Sequence, residues 1–304
     1  MSARHVTLLA ALSAIWGGSY LLIKYALEGF SAAMIVSLRC LLASLVIYVV
    51  LRVTGQASRA WREVRERPWW ALILSTTAVT LPFLLITFGE HVVPSGLTAV
   101  LISPASLFIA LLAPFLLPSE RIDRRQGIGM LLGLAGVVLI VGVESVSTLE
   151  EFLGAMAMVG AAFFYGLSSF VVKGKYGKLA AVQTTWISVT LAGLVTLPFG
   201  IATTPGHTPD AGAISALVAL GVLGTALAFV IYYELIVAIG AGRAALVSYL
   251  APGVALFYGA VFLDETITVV AIVGLVVILA GVAIASRPKK VAAPVAQPAM
   301  ARAS

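Results

Sequence analysis

The sequence predicts an all-α membrane protein of ten transmembrane helices, arranged as two five-helix repeats of inverted topology. Three observations carry this prediction. Apolar residues make up 61% of the 304-residue chain and charged residues 11%, against about 25% charged in ordinary globular domains. So few charges cannot coat a soluble surface, and the solvent is therefore mostly lipid. Long apolar runs recur along the chain, and the second half repeats motifs of the first.

A helix rises about 1.5 Å per residue, so a hydrocarbon core about 30 Å thick needs about 20 residues. Runs broken by charge, glycine or proline fall at 6–27, 32–52, 69–89, 93–117, 126–143, 152–172, 182–202, 212–237, 243–263 and 267–286. The short connections make neighbours antiparallel and leave no room for a sizeable soluble domain. The first run is too long for a secretory signal, carries Trp16-Gly17-Gly18 in its middle and lacks a convincing cleavage site. Residues 287–304, a low-complexity stretch, are expected to form a disordered cytoplasmic tail. The single cysteine, Cys40, permits no intrachain disulfide.

The charges give the orientation. With the N-terminus in the cytoplasm, all of the 19 basic residues except Lys24 and Arg39 fall on inner segments. The outer connections carry acids instead, among them Glu28, Glu90, Glu150, Asp210, Asp264 and Glu265. A Lys/Arg bias of this kind places both termini on the cytoplasmic side of the inner (plasma) membrane. The net charge of +6 is then a topology signal, and no nucleic-acid partner is implied.

Trp16-Gly17-x-Ser19-x4-Lys24 recurs 149 residues later as Tyr165-Gly166-x-Ser168-x4-Lys173. At an offset of 145, Thr80 matches Thr225, Glu120 matches Glu265 and Gly136 matches Gly281; Pro104 matches Pro252 at 148. Each copy spans five helices, an odd number, so the second must enter the membrane from the opposite side. The expected units are 1–146 and 147–286. Secondary transporters use inverted halves to give one midplane site two alternative openings. The competing reading is a duplication that only built a stable bundle.

Several motifs, in order, resemble a known family. They are Ile15-Trp16-Gly17-Gly18-Ser19 with Lys24, Arg39 before Leu41-Leu42-Ala43, Ser103-Pro104, the Glu120-Arg121 turn, Leu250-Ala251-Pro252 and Leu263-Asp264-Glu265. Over about 1–286 the chain resembles the drug/metabolite transporter superfamily, specifically its ten-helix members with two EamA repeats. That resemblance implies export of amino acids, related metabolites or drugs.

Helical spacing groups the candidate site residues. Ser13, Gly17, Tyr20 and Lys24 share one face of the first span; Ala162, Gly166, Ser169 and Lys173 share the matching face of the sixth. Thr76, Thr80, Phe83 and Thr87 in the third span match Gly221, Thr225, Ala228 and Tyr232 in the eighth. Such stripes line a cavity or provide close helix contacts. Trp16, Tyr20, Phe83, Tyr165, Phe229 and Tyr232 would form an aromatic wall suited to aromatic or amphipathic solutes. Ordinary core packing is the alternative for each. Pro104 and Pro252 free backbone carbonyls as hinges or binding points, or simply kink their helices, and Ser103 and Tyr249 lie beside them.

Four charges near membrane depth complete the set. Arg39 lies about seven residues, or roughly 11 Å, into its span. It would bind a substrate carboxylate, cap carbonyls or snorkel to the interface; the resemblance favours a structural role. Lys24 would attract anions at the outer mouth or anchor its helix. Glu90 and Glu234, at the outer end of the third span and the inner end of the eighth, are candidates for proton coupling or are paired, solvated carboxylates. No acid lies near a span centre, so facilitated diffusion stands beside proton antiport.

His5, His91 and His207 are scattered, and no catalytic, metal or nucleotide-binding motif occurs. The expectation is a carrier without cofactor or metal, not an enzyme, moving small organic solutes by alternating access. Its partners are the solute and the lipid bilayer, with protons as a candidate coupling ion; a monomer suits this design. A facilitative channel-like permease is the alternative, and a polytopic sensor or membrane enzyme a more distant one.

Overall fold

Glycine, proline and charge divide the apolar chain into eleven helices in the computed structural model, which describes residues 2–116, 124–144, 148–239, 244 and 246–285. They are α1 (Ala3–Leu27), α2 (Ala32–Val53), α3 (Ala57–Glu66), α4 (Pro68–Gly89), α5 (Ser95–Leu116) and α6 (Arg124–Glu144). The rest are α7 (Leu149–Tyr176), α8 (Ala181–Ala202), α9 (Ala211–Ile239), α10 (Val247–Phe262) and α11 (Val269–Ala285). No strand occurs among the described residues. Among the described residues, eight helices are long and apolar enough to cross a membrane, and α10 and α11 are shorter apolar helices. The short polar α3 falls on no predicted span. The Glu120 turn, Arg243, the 146/147 boundary and the 287–304 tail lie outside the described residues.

Local chemistry starts and stops the helices. The Ser31 side chain accepts from Met34 N, and Asp210 Oδ1 accepts from Ala213 N at 2.7 Å. Thr148 and Glu151 form a reciprocal capping box at the start of α7. Each cap satisfies amides that a helix N-terminus leaves bare. Gly55, at φ 71°, turns the chain from α2 into α3 through a conformation that a Cβ resists.

Apolar side chains also cover the outside. Phe115 is 77% exposed, Leu131 72% and Val138 69%, which is tolerable only where the solvent is lipid. Inside, the helices pair reciprocally. α2 packs on α8 and α6 on α11, while α1 packs on α10 and α9 much as α7 packs on α5 and α4.

Small residues permit these approaches. A Cβ at Gly17 would lie 2.8 Å from Val254, and one at Gly166 would lie 2.8 Å from Phe108 Cβ. Where α6 crosses α11, a Cβ at Gly281 would lie 2.6 Å from Gly129 O. Gly281→Ala should therefore destabilise the protein by about 1–3 kcal/mol through overpacking, lowering its thermal-unfolding midpoint in detergent. Gly142→Ala, with nothing within 4 Å of the new Cβ, should leave the midpoint unchanged or slightly higher. Equal losses in both variants would contradict this account of the crossing.

Candidate functional site around Arg39

Two of the spanning helices widen at their centres. α4 makes a π turn over Thr76–Thr80, and α9 makes one over Leu220–Leu227. π turns are rare and concentrate at functional sites. In α9 the Thr225 hydroxyl donates to Leu220 O, five residues back, at 2.9 Å. The same oxygen accepts from Arg39 Nε at 3.4 Å and Nη2 at 3.2 Å. The Arg39 guanidinium also lies 4.2 Å over the Phe83 ring of α4.

Arg39 is thus held between a hydroxyl from the second half of the chain and an aromatic face from the first. It is 5% exposed and Thr225 is fully buried. A charge so deep needs its donors satisfied. Two of its five N–H groups are used, and the other three meet no acceptor among the described residues. They remain available to an anionic group.

Tyr20 of α1 and Tyr165 of α7 lie deep in the bundle within electrostatic reach of Arg39. Both are half-buried and pack against the main hydrophobic core. Thr80, in the π turn of α4, is buried with its hydroxyl 3.3 Å from Ser75 Oγ, and Thr76 opens the same turn half-buried.

Other predicted positions gather elsewhere. Trp16, Phe229 and Tyr232 form an aromatic cluster, with Trp16 centroid distances of 6.0 and 5.2 Å, against a separate core containing Leu12 and Leu235. Ser103 donates to Val100 O at 2.7 Å and Ser169 to Tyr165 O at 3.2 Å, so both hydroxyls are satisfied within their own helices. Tyr249 packs on the main core. Pro104 divides α5 into Ser95–Ile102 and Ala105–Leu116, whereas α10 runs unbroken through Pro252. A surface groove of about 410 Å³, with Ser31, Leu81, Phe88 and Thr203 in its lining, holds no charged side chain.

At the predicted outer end, Glu90 has no exposed surface, and neither carboxylate oxygen has a hydrogen-bond partner among the described residues. Lys24, Arg39 and Glu265 are its charged neighbours. Glu234, its sequence counterpart, is instead paired with Arg4 at 2.5 Å in a solvated position. The two carboxylates therefore occupy unlike environments.

Glu265 does what the sequence did not reveal. Asp264 adopts φ 52°, and Glu265 N donates back to Gly259 O at 3.1 Å, closing α10 in a left-handed cap. This turn aims the Glu265 carboxylate at the start of α5. It accepts from Ser95 N at 2.7 Å, Gly96 N at 3.0 Å and Ser95 Oγ at 3.0 Å. A Cβ at Gly259 would collide with the same carboxylate. The second half is thereby fastened to the first, and the bare amides after Pro94 were the available signal.

Thr225→Val should strand the Arg39 guanidinium and lower stability by about 1.5–3 kcal/mol, the range for hydrogen bonds to charged groups. The thermal-unfolding midpoint in detergent should fall accordingly. An unchanged midpoint would show that the hydroxyl does not hold the arginine.

The sequence profile of the EamA-like transporter family matches residues 4–142 and again 152–287. An uncharacterized transporter, YoaV, of Bacillus subtilis (strain 168) is 22% identical over 88% of this chain and 91% of its own. A probable terminal-alkyne amino-acid exporter of Streptantibioticus cattleyicolor is 26% identical over 90% of each chain. A probable amino-acid metabolite efflux pump of Salmonella typhimurium is 26% identical over 92% of this chain and 94% of its own. One solved structure shares the fold, with TM-score 0.66 at 18% identity over 94% of this chain and 98% of that one. With both halves matched and the helices of a multi-pass membrane protein in place, the chain belongs to the EamA-like transporter family and is a transporter of small solutes, not an enzyme.

Proposed function

We propose that this protein exports amino acids or closely related metabolites across the inner membrane by alternating access, with both termini in the cytoplasm. The observation that carries this reading is the Arg39 group. A buried guanidinium with three donors uncommitted among the described residues sits where the two halves meet, near the half-buried Tyr20 and Tyr165. A guanidinium pairs with carboxylates through planar, charge-assisted hydrogen bonds. The neighbouring rings offer faces to an apolar or aromatic side chain.

A carboxylate-bearing solute of modest size matches that combination. The names of two relatives, an amino-acid exporter and an amino-acid metabolite efflux pump, lie in the same substrate class. Orientation follows from the charge bias, with basic residues concentrated on segments assigned to the cytoplasm. Alternating access is favoured by the sequence repeat and by the reciprocal helix pairings.

The test is counterflow in liposomes containing the purified protein, screened over amino acids and cationic drugs with and without a pH gradient. Preloaded amino acid should drive saturable uptake of labelled amino acid, with aromatic members among the best. Arg39→Lys, which keeps the charge but loses the planar fork, should lower that uptake at least about tenfold. Uptake linear in concentration, without counterflow, would identify a channel. Transport of cationic drugs alone would overturn the assigned substrate class.

A further inference from the structure

The positive charge of the chain is concentrated in one place. Segments 52–67 and 173–178 hold eight basic side chains against two acidic ones, a surplus equal to the chain's whole net charge of +6. All eight are exposed. One segment comes from each half of the chain, and the structure brings them together. Arg59 Nη2 donates to Lys178 O at 2.7 Å, and Arg67 Nη1 donates to Lys175 O at 3.3 Å.

α3 organises the patch. Its Ala57 and Ala60 are buried, Val64 packs beside them, and Trp61 stacks edge-on against Trp186 of α8 at 4.9 Å. One face therefore grips the bundle while Arg59, Arg62 and Arg65 face outward. Next to it, Trp69 is largely exposed and Trp70 lies 4.4 Å under the Lys175 ammonium. Arg62 and Arg65 have no acidic partner among the described residues. An amphipathic helix with arginines on one face and tryptophans beside it has the composition of a segment lying at a membrane surface.

Positive-inside bias accounts for basic residues on this side, but not for a folded helix that clamps two segments into one cationic surface. We infer that α3 and the end of α7 with its connection to α8 form a docking surface for the headgroups of anionic phospholipids, which brace the two halves against each other. Charge complementarity selects the occupant. The cytoplasmic leaflet offers anionic headgroups at the depth of this patch. Phosphate oxygens match guanidinium donors, while exposed tryptophans suit the headgroup boundary. The inference takes its orientation from the topology proposed above, but its test requires no transport.

The full chain, purified in a non-ionic detergent, is titrated with phosphatidylglycerol, phosphatidylcholine or inorganic phosphate while thermal unfolding is followed. Phosphatidylglycerol should raise the midpoint saturably, with the other two far less effective. Arg62→Gln with Arg65→Gln should leave the lipid-free midpoint unchanged, because neither side chain has a hydrogen-bond or ion-pair partner among the described residues. The half-saturating phosphatidylglycerol concentration should rise at least about tenfold, as expected for the loss of two surface charges. Arg124→Gln with Arg125→Gln, the same charge change on α6, should titrate like the unaltered protein.

Equal stabilisation by phosphatidylcholine would overturn the inference by showing that acyl chains suffice. Full stabilisation by inorganic phosphate would overturn it in favour of a free-anion site. An unaltered titration in the Arg62/Arg65 variant, or an equal loss in the Arg124/Arg125 control, would also overturn it.

Discussion

A guanidinium inside a lipid-embedded bundle must be compensated, and the rest of this structure is arranged around that requirement. An isolated charge at membrane depth is costly, and removing one partner from a buried charge costs more than the pair contributes. Arg39 enters from α2, but its hydroxyl acceptor comes from α9 and its aromatic cover from α4. Neither half of the chain can solvate the arginine fully by itself. The π turn of α9, in which Thr225 also donates to a carbonyl five residues back, accompanies that contact.

The same logic extends towards the two ends of the bundle. At the predicted outer end, Glu265 supplies negative charge to the bare amides of α5, again across the two halves. At the predicted inner end, Arg59 of α3 donates to Lys178 O just after α7, and Arg67, just after α3, donates to Lys175 O in the last turn of α7. Contacts between the halves are therefore of two kinds: these are polar and geometrically specific, whereas that of α6 on α11 is apolar and close. Lipid tails give little drive for apolar helix association, so close packing and polar contacts carry specificity. Polar contacts of this kind can be exchanged between two arrangements, as a gated pathway requires.

Much of this was legible in the sequence. The predicted spans 32–52, 69–89 and 182–202 correspond closely to Ala32–Val53, Pro68–Gly89 and Ala181–Ala202, because proline, glycine or charge bounds them sharply. The depth of its charge marks Arg39 as a candidate and helical spacing marks Phe83 and Thr225, and the structure brings them into contact. The first helix starts three residues before its predicted span, because Arg4 and His5 look like the end of an apolar run. The seventh helix outruns its prediction at both ends, where a capping box and a π turn extend it. What the sequence hid depends on tertiary partners. The π turns have no local signature, and the interaction of Glu265 with Ser95 joins residues 170 positions apart. Glu90 and Glu234 looked alike, yet one is enclosed by the bundle and the other meets Arg4 in solvent.

The central proposal is that the site around Arg39, with Tyr20 and Tyr165 near it, faces each side of the membrane in turn. A cysteine replacing Tyr165 tests this most directly, since the native Cys40 is fully buried and does not compete for reagent. Membrane-impermeant thiol reagents are applied to right-side-out and to inverted vesicles, with and without saturating amino acid. The account predicts labelling from both sides, slowed in each case by substrate. Labelling from one side only, or from both sides at rates that substrate leaves unchanged, would contradict it.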